Sequence, residues 1–309
     1  MNISIIGSGP SAFYAAQALS NDENNKVDII EKLFAPYGLV RYGVAPDHQK
    51  TKNIIRLFNR VLEKDNVCFF GNIEISKNLS LDFISDIYDV VIIATGASED
   101  KTLNIKGENI EGVVGSSKFV GWYNDDPKYY DLTPNLNTEN AVIIGNGNVA
   151  LDCARILAKD SIELQGSDIS KKTIETLSNS KIKNIYIVGR RGPKEAKFTI
   201  SELREFKELK NFSIKVNFPR EQIKEYISDK NIDTRIKKNL ELFDEFYDIN
   251  NKKRNIIFDF FKSTKEINGD QYAKEITIIN NCQQIDIIKT NLIIKAIGYK
   301  VSKIDSLKM

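Results

Sequence analysis

The stretch AVIIGNGNVALDCARIL, from Ala141 to Leu157, constrains the fold of this chain more than any other. Ala141 to Ile144 is a short apolar run that reads as a buried strand. It breaks at Gly145-Asn146-Gly147-Asn148-Val149-Ala150 into a helical pattern of Val149, Cys153, Ile156 and Leu157. Strand, tight glycine turn and helix in that order predict a dinucleotide site. Gly145 permits the sharp turn, Gly147 lets backbone approach a pyrophosphate without a Cβ in the way, and Ala150 lets the helix pack close to its strand. The phosphates would rest on the free N–H groups and positive end of the helix.

The same pattern opens the chain. The strand NISII runs into Gly7-Ser8-Gly9-Pro10-Ser11-Ala12, and a helix follows through Phe13, Ala16, Gln17 and Leu19. A further strand, VDII, ends in Glu31, about 20 residues beyond the motif, where a carboxylate accepts both hydroxyls of an adenosine ribose and repels a 2′-phosphate. The first loop therefore suits FAD or NAD. After the second loop the corresponding strand is delayed by an extra helical segment at about residues 169 to 178. It arrives as NIYIVGRRGP and ends in Arg190 and Arg191. Two guanidiniums suit a 2′-phosphate through bidentate hydrogen bonds, so the second loop suits NADPH. The plainer alternatives stay open here: Glu31 ending a strand in solvent, and adjacent arginines on a surface turn.

A chain of 309 residues exceeds what one core usually supports. The predicted fold class is α/β: two Rossmann-like dinucleotide-binding domains with parallel sheets, residues 1–103 and 104–309. Residues 50–64 read as one helix, and YDVVIIATGA at 88–97 as a buried strand ending in small residues. Residues 103–140, with the sole tryptophan Trp122, read as an irregular passage between domains. Thr199 and Glu202 have capping-box spacing, which is as good an account of Glu202 as a ligand role. Residues 254–279 read as a strand pair about Asn268-Gly269, and TNLIIKAIGY as a last buried strand. The lone histidine, His48, lies in a loop rich in glycine and proline and reads unaided as a structural residue. Arg235, Lys237 and Lys238 read unaided as a solvated helix face.

Forty-four Lys and Arg against 42 Asp and Glu leave a net charge of +2, so no global field draws the chain to nucleic acid or an anionic membrane. Cys68, Cys153 and Cys282 are far apart and form no C-x-x-C, which argues against a zinc site, a redox disulfide and an oxidising compartment alike. No run of 18 apolar residues exists, so no membrane insertion is expected, and a first strand at Asn2 leaves no room for a targeting peptide.

The strings GSGPSAFYAAQ, PYGLVRYGVAPDH, FVGWYN, GNGNVALDCARIL, GRRGP and FTISELRE, in this order, resemble the adrenodoxin reductase type of NADPH:ferredoxin reductase across nearly the whole chain. The resemblance implies an FAD flavoprotein that takes hydride from NADPH and passes single electrons to a [2Fe-2S] ferredoxin. It implies FAD contacts at Ser11, Glu31, Leu39 and Ile75, beside the loop of Gly7 and Gly9. It implies NADP contacts at Asn146, Gly147, Asn148, Val149, Arg190, Arg191 and Glu202, beside Gly145. It also implies a His48–Asp152 pair at the catalytic centre and a docking patch at Arg235, Lys237 and Lys238, in a monomer without a metal site. A cytoplasmic location follows for a bacterial protein, or the mitochondrial matrix if a transit peptide is missing. In the family the chain returns after the strand corresponding to residues 290–299 and completes the FAD domain with a G-W-x-x-x-G-P-T-G-type segment. That return is absent here, so a fragment with an incomplete first domain is expected. Two rival readings remain: the electron-input subunit of the glutamate synthase type, and a nucleotide-binding module without turnover.

Overall fold

The computed structural model describes residues 1–301 and divides into two compact units, one of residues 1–99, 124–126 and 299–301, the other of residues 100–123 and 127–298. The first unit opens β1 (Asn2–Ile6), α1 (Pro10–Leu19), β2 (Lys26–Ile30). After the short α2 (Leu39–Tyr42) and α3 (Gln49–Lys52) come α4 (Ile55–Leu62), β3 (Val67–Phe70), α5 (Leu81–Ile87) and β4 (Val90–Ile93). Its sheet is parallel in the order β3-β2-β1-β4. Pro10 starts α1 at a position where a missing N–H costs nothing. Phe13 and Ala16 then fall on one face and meet Phe58 and Val61 of α4 over Ile3, Ile5, Val27 and Ile29. A two-stranded ribbon joins β5 (Ala97–Asp100) to Tyr299–Val301.

Two expectations fail in this unit. Residues 50–64 are two helices, because the chain turns at Asn53-Ile54. The strand at 88–97 is not buried: β4 is an edge of its sheet among the described residues, and Val90 and Ile93 are 38% and 40% exposed. An apolar run looks the same at a sheet edge and in its centre.

The second unit begins with β6 (Val113–Gly115) and α6 (Ser116–Tyr123), then β7 (Asn140–Ile144), α7 (Asn148–Ala158), α8 (Lys171–Ser178) and β8 (Asn184–Gly189). Next come α9 (Ile200–Arg204), β9 (Phe212–Asn217), α10 (Arg220–Ser228), α11 (Thr234–Phe246) and β10 (Arg254–Phe260). The unit closes with β11 (Lys262–Gly269), β12 (Ala273–Asn280), β13 (Ile285–Lys289) and β14 (Leu292–Lys295). A six-stranded parallel sheet has the order β6-β14-β7-β8-β10-β9. One face packs on helices through Ala150, Leu151, Ala154, Leu203, Phe206, Leu240 and Phe243. The other face, through Val142, Ile144, Val188 and Ile293, packs on the antiparallel sheet β11-β12-β13 through Ile267, Ile276, Ile278 and Ile288. Burial of both faces explains the apolar runs 141–144 of β7 and 292–294 of β14.

The passage at 103–140 is irregular except for β6, α6 and one 3-10 turn, and Trp122 is buried in α6 beside Phe119, at a ring-centroid distance of 5.3 Å. Residues 254–279 are not one strand pair. β10 enters the parallel sheet and the hairpin is β11-β12, its turn lying just after Gly269.

Candidate dinucleotide sites

Each unit carries a glycine turn at the C-terminal end of its parallel sheet, and the two share one backbone frame. Gly7 N–H donates to Ile30 O at 2.8 Å, and Gly145 N–H to Val188 O at 2.9 Å. On the other flank Ala94 N–H donates to Ile6 O, and Ala296 N–H to Ile144 O, both at 2.8 Å. Gly7 has φ +104° and Gly145 φ +143°. A Cβ on Gly7 would lie 2.4 Å from Ala94 O, and one on Gly145 2.1 Å from Ala296 O, so only glycine passes there. At Gly9 and Gly147 the situation reverses, and a Cβ would meet nothing within 4 Å. That open space lies at the N-cap of α1 and of α7, and neither cap has a side-chain hydrogen bond. An open concavity at an uncapped helix start is the shape that takes a pyrophosphate.

The side chains around the two turns differ. Glu31 follows the strand residue that accepts from Gly7, and it is buried. Its Oε2 accepts Ser8 N–H at 3.0 Å and Ser8 Oγ–H at 2.7 Å, and its Oε1 accepts Leu33 N–H at 3.0 Å. In the second unit the matching position is Gly189, and the space is filled from the turn instead. The Asn146 amide lies so close that a Cβ on Gly189 would be 1.7 Å from Nδ2. Both polar atoms of that amide are buried without a hydrogen-bond partner, an unusual condition that a bound ligand can relieve. Arg190 and Arg191 follow, both exposed.

A second strip of chain closes over each turn. Tyr37 N–H donates to Ser8 O at 2.9 Å, and Gly38, at φ +47°, comes so near that a Cβ on it would be 2.9 Å from Gly9 Cα. Tyr37 itself has φ +91°, an expensive conformation for a bulky residue, held by burial of its ring against Phe13. In the second unit Lys197 N–H donates to Asn146 O at 2.9 Å. Thr199 N–H donates to Asn148 Oδ1 at 2.8 Å, and Asn148 Nδ2 donates to Thr199 Oγ1 at 3.2 Å. The expected capping box does not form. Thr199 holds the N-cap position of α9, but its hydroxyl faces Asn148 and makes no cap bond.

The remaining predicted residues are spread over both units. Ser11 is exposed in the first turn of α1, Leu39 is exposed at the start of α2, and Ile75 is half-buried in the segment after β3. Val149 is half-buried in the first turn of α7, and Glu202 half-buried in that of α9. His48 is the N-cap residue of α3 in the first unit. Asp152 lies in α7 of the second, where Arg155 Nη2 donates to its Oδ1 at 2.6 Å. Arg155 is fully buried and also reaches Glu205 at 3.1 Å, a two-carboxylate clamp that the sequence pattern did not reveal. An arginine one turn after Asp152 inside an apolar helix was the available signal. Arg235 and Lys238 are exposed and Lys237 is half-buried, near the N-terminus of α11. None of the three cysteines is bonded, and burial pushes the Cys153 thiol well above its ordinary range. Among the described residues no helix is long and apolar enough to cross a membrane.

The family model of pyridine nucleotide-disulphide oxidoreductases matches residues 1–308. The chain is 45% identical over 218 residues to the mitochondrial NADPH:adrenodoxin oxidoreductase of Arabidopsis thaliana, a match covering 70% of this chain and 45% of the relative. It is 39% identical over 292 residues to the NADPH-ferredoxin reductase FprA of Mycobacterium leprae, covering 91% of this chain and 63% of that protein. It thus spans between about half and two thirds of the length of these relatives. The structure of Mycobacterium tuberculosis FprA in complex with NADPH superposes with a TM-score of 0.91 at 34% identity, over 99% of this chain and 72% of that one. With both glycine turns, the parallel sheets and these likenesses in agreement, the chain belongs to the pyridine nucleotide-disulphide oxidoreductase family, in the group of FprA and the adrenodoxin oxidoreductases.

Proposed function

We propose that this chain is the nucleotide-handling part of an FAD-dependent NADPH:ferredoxin reductase, the first unit taking FAD and the second NADPH. The observation that carries this reading is the exchange at the strand ends. One turn is backed by the buried carboxylate of Glu31, the other by Gly189 followed by two exposed arginines. A carboxylate receives ribose hydroxyls and repels a 2′-phosphate, whereas a pair of guanidiniums does the reverse. The open sides of Gly9 and Gly147 and the unsatisfied Asn146 amide fit the two dinucleotides. Flavin, when bound, supplies the chemistry that takes two electrons from a reduced nicotinamide and releases them singly to a one-electron acceptor. The protein's part is to hold, orient and enclose.

Ser11 and Glu31 would hold the adenosine half of FAD, with Leu39 and Ile75 beside it. Gly147, Asn148 and Val149 would receive the NADPH pyrophosphate, and Glu202 would be a further contact of the same nucleotide. His48 and Asp152 are the proposed catalytic pair, and Arg155 fixes the Asp152 carboxylate. Arg235, Lys237 and Lys238 are the proposed contacts for an acidic [2Fe-2S] ferredoxin, and the protein is proposed to act as a monomer in the cytoplasm or a matrix compartment.

The test is nucleotide binding by R190Q/R191Q. Charge-assisted bonds to phosphate contribute about 1.5 to 3 kcal/mol each, so NADPH affinity should fall at least a hundredfold while NADH affinity barely moves. Equal losses for both nucleotides sink the assignment. The visible spectrum of the purified chain separates the enzyme from a module without turnover: a yellow protein bleached by NADPH supports the enzyme, a colourless one the module.

A further inference from the structure

We infer that Thr199 is a positioning residue that sets NADPH preference without touching the 2′-phosphate: it latches the arginine loop onto the dinucleotide turn. The inference rests on the reading of Arg190 and Arg191 given above.

The loop that carries the two arginines leaves β8 at Gly189 and returns at α9. Its start is fixed by close packing, with Gly189 against the Asn146 amide and Gly192 against the Phe261 ring, where a Cβ would be 2.3 Å from Cζ. The backbone also ties in there, Phe261 N–H donating to Arg191 O at 3.3 Å. Its end is fixed from two sides. Phe198 is buried in the core, and its carbonyl accepts Asn239 Nδ2 of α11 at 2.9 Å. Its neighbours Lys197 and Thr199 bond outward to Asn146 O and to the Asn148 amide. Between these pins, Pro193–Glu195 forms one 3-10 turn.

The fork between half-buried Asn148 and exposed Thr199 pairs one backbone-to-side-chain bond with one bond between side chains. Asn148 is the first residue of α7, in the turn proposed to receive the pyrophosphate. The guanidiniums that read the 2′-phosphate and the backbone that holds the pyrophosphate are thus kept at one spacing by a bond involving neither ligand group. A nucleotide that uses both ends needs that spacing. NADH, which uses only the turn, does not. The Thr199 hydroxyl makes no cap bond to α9, and beside Asn148 it meets Ser201 Oγ at 3.3 Å.

Thr199→Val keeps shape and the backbone N–H donated to Asn148, and it removes the hydroxyl that accepts from Asn148 and meets Ser201 Oγ at 3.3 Å. One net hydrogen bond corresponds to about a fivefold change. NADPH affinity should fall about fivefold and NADH affinity by less than twofold, with Thr199→Ser restoring the native value. On the R190Q/R191Q background Thr199→Val should cost NADPH nothing further, because the groups it positions are gone. Trypsin should cut T199V faster than the native chain at Arg190, Arg191, Lys194 or Lys197, and adenosine 2′,5′-bisphosphate should slow that cleavage. Undiminished loss on the double-arginine background, equal loss of both nucleotides, or unchanged binding and cleavage in T199V would each overturn the latch. Failure of the arginine reading is seen separately, in native-like NADPH affinity of R190Q/R191Q itself.

Discussion

The two glycine turns differ in their side chains and agree in their backbone. In both, the first glycine is locked between the carbonyl of the next strand and a carbonyl beyond the far strand, Ile30 and Ala94 in one, Val188 and Ala296 in the other. What differs is which strand supplies bulk. In the first unit the strand supplies Glu31 and the turn a small Ser8. In the second the strand supplies Gly189 and the turn a large Asn146. The frame is therefore set by steric necessity, and the ligand choice proposed above would rest on one exchange of volume and charge across it.

The most damaging way to break the comparison is Gly145→Ala. Its Cβ would meet Ala296 O at 2.1 Å in a backbone region that costs an L-residue about 1 to 2 kcal/mol before any clash. We expect a loss of about 3 kcal/mol or more in denaturant unfolding of the second unit, with Gly7→Ala doing the same to the first. A loss under about 1 kcal/mol would show that the strand ends can part, and the shared frame would not be rigid.

Glu31→Gln comes next. An amide must turn its NH₂ towards either the two Ser8 donors or Leu33 N–H, leaving buried donors opposed. The expected cost is about 1 to 3 kcal/mol, seen as lower thermal stability of the first unit and weaker flavin retention. Retention unchanged in titration with FAD would move the ribose contact elsewhere.

Asp259 sharpens the contrast from the neighbouring strand. It pairs with Val188 where the first unit pairs Phe70 with Ile30, and it is buried with Oδ1 lacking a partner. Burial raises its carboxyl above the usual range, against the opposing pull of Lys262. A carboxyl raised in the fold binds its proton more tightly there than in the unfolded chain. It therefore weakens the fold above its raised value and ceases to do so below about pH 4. Asp259→Asn should stabilise more at pH 7 than at pH 3.5, in melting curves at the two pH values. A gain independent of pH would trace it to packing.

The smallest effect on stability belongs to Gly9→Ala and Gly147→Ala, whose Cβ atoms meet no protein atom within 4 Å. Unfolding should change by no more than about 0.5 kcal/mol, while binding of the matching dinucleotide falls at least tenfold, since the methyl occupies the ligand's place. Loss of stability with affinity intact would reverse the roles of the two glycines in each turn.

Much of this was legible because the chemistry is local. Gly7, Gly9, Gly145 and Gly147 stand at fixed spacing after an apolar run, and Glu31, Arg190 and Arg191 end the next strand. What escaped depends on residues far apart in sequence. That Gly189 makes room for Asn146, that Thr199 turns from its helix to Asn148, and that Arg155 ties Asp152 to Glu205 are facts of packing. An apolar run also carries no record of its neighbours. β4 and β14 read alike, yet one lies at a sheet edge with Val90 and Ile93 exposed and the other between two strands. The antiparallel β11-β12-β13 layer was half seen for the same reason: a hairpin shows in its turn, but the surface it covers does not.

The carbonyls that lock the first glycines have a consequence during synthesis. Ala94 follows Gly7 by 87 residues, whereas Ala296 follows Gly145 by 151. Chain growth, at several residues per second, therefore presents the first turn with its lock after a shorter wait than the second. Until β14 arrives beside β7, the GNGN turn has one flank unformed. A nascent chain arrested before residue 290 should already protect its Gly7 region from protease while leaving the Gly145 region open.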